Sequence, residues 1–138
     1  MAQNVQPIFT RTPDVAFASM SAGTATSFDM TSGTTASLFV AGASGSYISK
    51  IRVKPSGSTS ATVIRLYINN GGSTLSGLNN ILFSELSMPA ITVSTTLAQN
   101  DFEIPMGLAL PANYKLFAGF GTNPTTGGFH FTVIGGDY

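Results

Sequence analysis

The chain contains no cysteine and no tryptophan, and its only histidine is His130. The absence of cysteine excludes disulfides, thiolate metal sites and cysteine nucleophiles. Charged residues make up only 9% of the chain, against about 25% in an average globular domain, and six basic residues balance six acidic ones. Such a chain has no overall electric field that draws nucleic acid or an anionic membrane, so we expect neither as a partner.

Long apolar runs are also missing from the sequence. A membrane-spanning helix needs about 18 or more consecutive apolar residues, and no such stretch is present. The N-terminal residues lack the basic and apolar regions of a secretory signal, so we expect synthesis and assembly in a cytoplasm. A net charge near zero favours association, which predicts that the protein works inside an assembly.

What remains is an ordinary apolar content of 43% in 138 residues, enough for one domain with a buried core. Residues 1–22 alternate small apolar and polar residues around two prolines, which predicts an extended N-terminal arm. Pro7, Phe9 and Arg11 of this arm are candidate partner contacts. Residues 23–138 are predicted to form a single β-sandwich domain.

Short apolar segments separated by turn-forming clusters follow the arm. They predict an all-β fold of eight antiparallel strands, with a jelly-roll sandwich as the favoured form. An immunoglobulin-like sandwich is the alternative, although its usual buried tryptophan and cysteine pair are missing. The predicted strands are 24–31, 36–42, 46–55, 61–70, 80–89, 101–110, 114–121 and 128–135.

The last predicted strand carries the single histidine between Phe129 and Phe131. Since alternate side chains of a strand point to opposite faces, His130 is predicted on the outer face and the phenylalanines in the core. The glycine pair at 135–136 is predicted to free Asp137 and Tyr138 from the sheet.

Candidate catalytic groups are few. An enzyme would need a pocket joining His130 to Asp101, Glu103 or Asp137. Asp101 and Glu103 share one strand face and could form a glycosidase pair or a cation site. We favour the interpretation that these two acids are charges on a strand edge, where they oppose pairing with strands of other chains. The chain is therefore predicted not to be an enzyme, and neither a metal nor another cofactor is expected.

One group of basic residues stands out. Lys50, Arg52 and Lys54 alternate along one strand, so their side chains share a face. If this strand forms a hairpin with the next one, Arg65 joins the same face with Tyr67 at its edge. The pattern is typical of a solvated face, and alternatively of a docking surface for an acidic partner. These five residues are the second set of candidate partner contacts.

The run from Tyr47 to Tyr138 resembles small virion proteins of tailed bacteriophages. The segments that carry the resemblance are ISKIRVKPSG, TVIRLYINNGG, FEIPMGLALPANYKLFAGFGT and TVIGGDY. Within that group the chain looks most like a head decoration, or cement, protein with a jelly-roll fold.

The resemblance implies a structural virion protein that binds the outer capsid surface, bridges neighbouring capsid subunits and stabilises the shell. It implies the major capsid protein as partner, a homo-oligomer (a dimer or a trimer), and a location on the surface of the virion. The alternative is a tail or tail-tip β-sandwich module that binds a receptor or carbohydrate, with Tyr47, Tyr67, Tyr114 and Phe120 as candidate stacking residues.

Overall fold

The computed structural model describes residues 10–21, 23 and 27–138. This part of the chain contains eight β-strands and one short 3-10 helix, Gly77–Asn79, and no α-helix. The strands are β1 (Thr12–Met20), β2 (Thr35–Val40), β3 (Ser46–Pro55), β4 (Thr62–Asn69), β5 (Asn80–Met88), β6 (Phe102–Leu110), β7 (Lys115–Phe120) and β8 (Phe129–Asp137).

The strands form two four-stranded antiparallel sheets. Sheet A has the order β1-β8-β3-β6, and sheet B has the order β2-β7-β4-β5. The predicted all-β sandwich is thereby confirmed. Among the described strands, only β4 and β5 follow each other in the chain and also pair; every other link between consecutive strands crosses from one sheet to the other. Sequence neighbours are therefore rarely neighbours in a sheet.

The core lies between the sheets and follows the alternation seen in the sequence. Ile51 and Val53 of β3 belong to the same core cluster as Ile64 and Leu66 of β4, and all four are fully buried. Full burial of such a side chain contributes about 1.5–3 kcal/mol to stability. The inward residues of β8, which include Phe129, are also buried, as predicted from the residues flanking His130.

The prediction that residues 1–22 form an extended arm is wrong for Thr12–Met20, which form β1. This strand pairs along its whole length with β8, and Met20 is buried in the core. Pro13 is tolerated because β1 is an edge strand of sheet A, where a missing N–H need not break a ladder. Pro7 and the rest of residues 1–9 lie outside the described part of the chain.

The predicted strand 24–31 is wrong for residues 27–31, which form bends and turns, while residues 24–26 are not described. Met30 adopts a positive φ of 62°, a turn conformation that a strand residue does not take. The segment 27–34 lies over the outer face of sheet B, where Met30 packs with Tyr67 and with the partly buried Leu82 and Phe117. Sheet B thus carries a second, smaller apolar cluster on its outer side.

The end of β8 is held in the sheet, and the prediction that it is free is wrong. Asp137 pairs with Thr12 of β1 and with Ser46 of β3. A side chain at Gly136 would lie 2.6 Å from the carbonyl oxygen of Thr12, so the glycine permits close approach of the strands. The last strand therefore closes the sandwich along its full length.

Candidate partner-binding surfaces

Lys50, Arg52 and Lys54 lie together on the outer face of sheet A, as predicted, but each meets a carboxylate in β6 or just before it. Lys50 Nζ is 2.9 Å from Glu103 Oε1, and Arg52 Nη2 is 2.6 Å from Asp101 Oδ2. Lys54 Nζ is 3.0 Å from Asp101 Oδ1. Three cations thus share two carboxylates, and the face retains one net positive charge instead of forming a strongly basic stripe.

A hydrogen bond from the ammonium group of Lys54 holds the pKa of the Asp101 carboxyl below its ordinary value of 3.8. Desolvation raises this pKa, but the positive charge of Arg52 lowers it further. Asp101 is therefore ionised at neutral pH and available to both cations. Asp101 flanks the start of edge strand β6 and Glu103 lies within it, consistent with the interpretation of a charged strand edge. All five side chains of this ion-pair ladder are partly exposed, so salt screens their attraction.

Arg65 does not join the basic face, because β3 and β4 belong to different sheets and form no hairpin. Its guanidinium stacks on the ring of Phe28 at 4.4 Å, and its Nε donates a hydrogen bond to Glu85 at 2.9 Å. Only 14% of its side chain is exposed. Arg65 therefore holds the segment 27–34 against sheet B.

Tyr67, predicted at the edge of the basic face, is fully buried under the same segment. Its hydroxyl donates a hydrogen bond to the carbonyl oxygen of Ser27 at 3.0 Å, and burial raises the pKa of its phenol above 10.0. Phe120 is fully buried as well, so neither ring can stack on a sugar. Of the four aromatic candidates, Tyr47 is exposed and Tyr114 half-buried.

Arg11 is the one described residue of the three proposed arm contacts. It is exposed and lies just before β1, where its N–H donates to the carbonyl oxygen of Asp137 at 2.8 Å. Pro7 and Phe9 fall outside the described residues. Arg11 therefore stands on the sandwich, at the end where β8 finishes.

His130 is exposed on the outer face of sheet A, as predicted, between Ser19 of β1 and Lys54 of β3. Asp137 lies seven residues further along the same strand, roughly 23 Å away at about 3.3 Å per residue, so these two groups cannot form one site. Among the described residues there is no group of three or more His, Cys, Asp or Glu side chains that could hold a metal ion. Lack of enzymatic activity stays a prediction.

No helix within the described residues is long and apolar enough to cross a membrane.

One exposed surface is not predicted from the sequence: the loop 70–79 between β4 and β5, which we call the leucine loop. Leu78 is 95% exposed and Leu75 is 81% exposed. Both lie in a stretch that the sequence marks as a glycine-rich turn, and Gly71 does take a positive φ of 92°. The signal that could have revealed this surface is the placement of two leucines inside a turn of otherwise small polar residues.

Paired asparagines fix the conformation of the leucine loop. At its base, Asn69 donates to the side chain of Asn80 at 2.6 Å, and both residues are buried. Asn80 also donates to the carbonyl oxygens of Thr74 and Ser76 at 2.9 and 3.0 Å. Side-chain bonds to backbone of this kind replace ladder bonds in tight turns. The loop therefore presents its leucines from a hydrogen-bonded frame.

A shallow apolar groove adjoins the leucine loop. Ile68, Leu78, Ile81 and Tyr114 line it together with asparagine side chains, and Ile81 is 62% exposed. No charged residue occurs between Arg65 and Glu85 in the sequence. The residues of the leucine loop and of this groove are therefore uncharged and partly apolar, and the carboxyl group of Asp29 lies against the loop at Gly77.

Comparisons with known proteins identify no family. No family model matches the chain, and no curated protein matches it. Among solved structures, a chain described as "Structure of infectious bursal disease virus Gx strain" aligns with 97% of this chain and 36% of its own length, at 12% identity and a TM-score of 0.34. The present chain thus spans about a third of that viral chain, and similarity at this level establishes neither a family nor a function.

Proposed function

We propose that this protein is a structural component of a virus particle and, more specifically, a decoration or cement protein on the head of a tailed bacteriophage. In this role it binds the outer capsid surface, bridges neighbouring subunits of the major capsid protein and stabilises the shell. A cement protein adds interface that must be broken before capsid subunits separate. It needs a rigid fold and an accessible docking surface.

The strand order supports a jelly roll as the form of the sandwich. Two sheets of four strands share one core, β1 and β8 lie side by side, and nearly every link crosses between the sheets. Two interlocked Greek keys of eight strands produce an arrangement of this kind. Such a fold supplies the rigid body that the proposed role requires.

The exposure of two leucines in the leucine loop is the observation that supports the proposed docking function. Leu75 and Leu78 expose almost their whole side chains, although leucine is among the residues most often buried. Clustered exposed apolar groups mark protein–protein interfaces, and a preorganised loop loses little conformational entropy on binding. We therefore propose the leucine loop and the adjoining groove as the surface that contacts the capsid.

The cations of sheet A take a secondary part in this proposal. Lys50, Arg52 and Lys54 are already paired with carboxylates, so an acidic partner would have to compete with Asp101 and Glu103. Such exchangeable surface pairs steer association more than they add affinity.

The proposal is tested by mixing the purified protein with undecorated phage heads and imaging the heads by electron microscopy. We expect ordered density at regular lattice sites. Replacing Leu75 and Leu78 together by serine is expected to lower the apparent affinity for heads at least tenfold, a change of about 1.4 kcal/mol. Leu97→Ser is the matched control, since Leu97 is 72% exposed and lies in the link after β5, at the other end of the sandwich.

Equal loss of binding in the control would contradict the proposed surface. Failure of the wild-type protein to bind any heads, together with binding to a glycan array, would contradict the cement function and favour the tail-module alternative.

A further inference from the structure

We propose that two copies of this chain associate edge to edge through β1, extending sheet A across a two-fold axis. Within the described residues β1 pairs only with β8, and no described strand lies along its other edge, which we call the open edge. Its outward side chains include Phe17, which is 84% exposed, and Val15, which is 57% exposed. This surface lies on β1 and is separate from the leucine loop.

The four edge strands differ in how well they are protected. The edge strand β6 lies beside a register shift and carries Glu103 and Pro105 on its outer face. The ladders of β2 and β5 are also interrupted by register shifts, and β2 has only six residues. Charges, prolines, bulges and short length are the features by which natural sheets prevent edge pairing.

β1 has fewer of these features than the other edges. It runs for nine residues in unbroken register with β8, and Asp14 is its only charged residue. Pro13 stands near its first residue and leaves the following residues able to donate hydrogen bonds. A long, regular and apolar edge of this kind is the expected site of pairing with another strand.

The sequence of β1 suits a second copy of itself in antiparallel orientation. When the two-fold axis passes through Ala16, Val15 of each copy lies directly opposite Phe17 of the other. Aromatic and β-branched side chains form stabilising cross-strand pairs. On the neighbouring strand β8, Ile134 is in register with Val15, so the apolar surface continues across the sheet.

Antiparallel pairing of identical strands is self-complementary and closes at two copies. It uses the open edge of both copies, and the blunted edge at β6 opposes further growth of sheet A. The inference does not depend on the proposed function, since the pairing surface is complete without a capsid.

Sedimentation equilibrium of the purified full chain tests this inference without phage heads. At about 0.1 mM, a dissociation constant in the micromolar range gives mainly dimer, with twice the 14.3 kDa mass of the chain. The double variant Val15→Lys with Phe17→Lys is expected to raise the dissociation constant at least tenfold. Leu78→Lys, at a residue that is 95% exposed, is the matched control and is expected to leave the dimer unchanged.

Circular dichroism of each variant verifies that the sandwich is retained, since both replaced side chains of β1 are exposed. A monomeric wild-type protein at this concentration, a trimer, or a dimer that the β1 variant leaves intact would each overturn the inference.

Disulfide trapping tests the register of the two strands. The natural chain has no cysteine, so only the introduced cysteines can form the cross-link. The variant Val15→Cys with Phe17→Cys is expected to form a covalent dimer on oxidation, since each new cysteine faces one from the other copy. The control is Val15→Cys with Ser19→Cys, whose cysteines are not opposite each other in this register. Faster cross-linking of the control would overturn the proposed register and with it the Val15–Phe17 contact.

Discussion

Arg65 and Tyr67 show how strongly the role of one side chain depends on which sheet contains its strand. Alternation along the sequence predicts Arg65 on a basic docking face and Tyr67 at the edge of that face. In sheet B, the segment 27–34 covers them, and they bind Phe28 and the carbonyl group of Ser27. Their polar groups hold a loop in place on a surface that would otherwise be open to water.

Tyr67→Phe is expected to lower the free energy of unfolding by about 1 kcal/mol, because the carbonyl group of Ser27 loses its hydrogen-bond donor. Tyr47→Phe is the matched control, at a side chain that is 38% exposed, and is expected to change stability by less than about 0.5 kcal/mol. Urea unfolding at neutral pH measures both. Equal effects of the two substitutions would contradict the structural role of the buried hydroxyl.

The raised pKa of Tyr67 predicts a specific alkaline weakness. The phenol ionises near pH 10.0 in the unfolded chain but only at higher pH in the folded protein. The stabilising contribution is therefore complete below pH 10.0 and is lost as the pH rises through the raised value. Unfolding measured at about pH 9 and about pH 11 should show a larger loss of stability for wild type than for Tyr67→Phe. The same loss in both proteins would argue against this origin.

At the scale of the strands, β8 does most to join the sandwich, since it pairs with β1 on one side and β3 on the other. Its last residue, Asp137, accepts a hydrogen bond from the hydroxyl of Ser46, the fully buried first residue of β3. The same hydroxyl accepts a hydrogen bond from the N–H of Gly42 at 2.9 Å. One side chain therefore links the end of β8, the start of β3 and the turn that precedes it.

Ser46→Ala is expected to cost about 1–3 kcal/mol of stability, because it leaves a carboxylate and a backbone N–H without their partner. Ser49→Ala makes the same chemical change on the same strand, at an exposed residue, and is expected to change stability by less than about 0.5 kcal/mol. Chemical denaturation of both variants gives the comparison. Coincident transitions for the two variants would rule out the proposed link.

At the scale of the whole molecule, the first and last strands lie side by side, so the sandwich is complete only when both ends of the described chain are in place. Pairings between strands far apart in sequence are slow to form, because loop-closure entropy must be overcome first. We expect folding and unfolding to be cooperative across both sheets.

Removal of residues 1–20 is expected to abolish the cooperative thermal transition, because β8 loses one of its two partner strands and the core loses Met20. A removable arm would have left the transition intact. Met20→Ala removes only the core side chain of β1 and is expected to lower the free energy of unfolding by about 2–5 kcal/mol. Ser19→Ala, at the exposed neighbouring residue, is the control. Differential scanning calorimetry measures all three proteins. A truncated protein that melts at the wild-type temperature would show that β1 is dispensable.

The sequence by itself predicted β2 to β8 close to their observed bounds, and the faces of several of them, but it did not predict β1 and it placed a strand wrongly at residues 24–31. The predicted strand 46–55 coincides with β3, and alternation correctly separated its buried residues from its cations. This succeeds because the period of two is a local property of the extended backbone. Alternation did not reveal β1, because its small residues and Pro13 weaken the apolar–polar alternation that longer apolar side chains produce in the other strands.

Only the tertiary structure decided which strands are neighbours and which charges meet. Glu103 lies 53 residues beyond Lys50 in the chain, and no local pattern announces that pair. Alternation assigns a side chain to a face but carries no information on the strand that lies beside it. The links that cross between the sheets therefore separated Arg65 from the other cations and placed carboxylates there instead. The open edge of β1 and the exposed leucine loop are products of the same long-range pairing, which depends on the packing of the whole core.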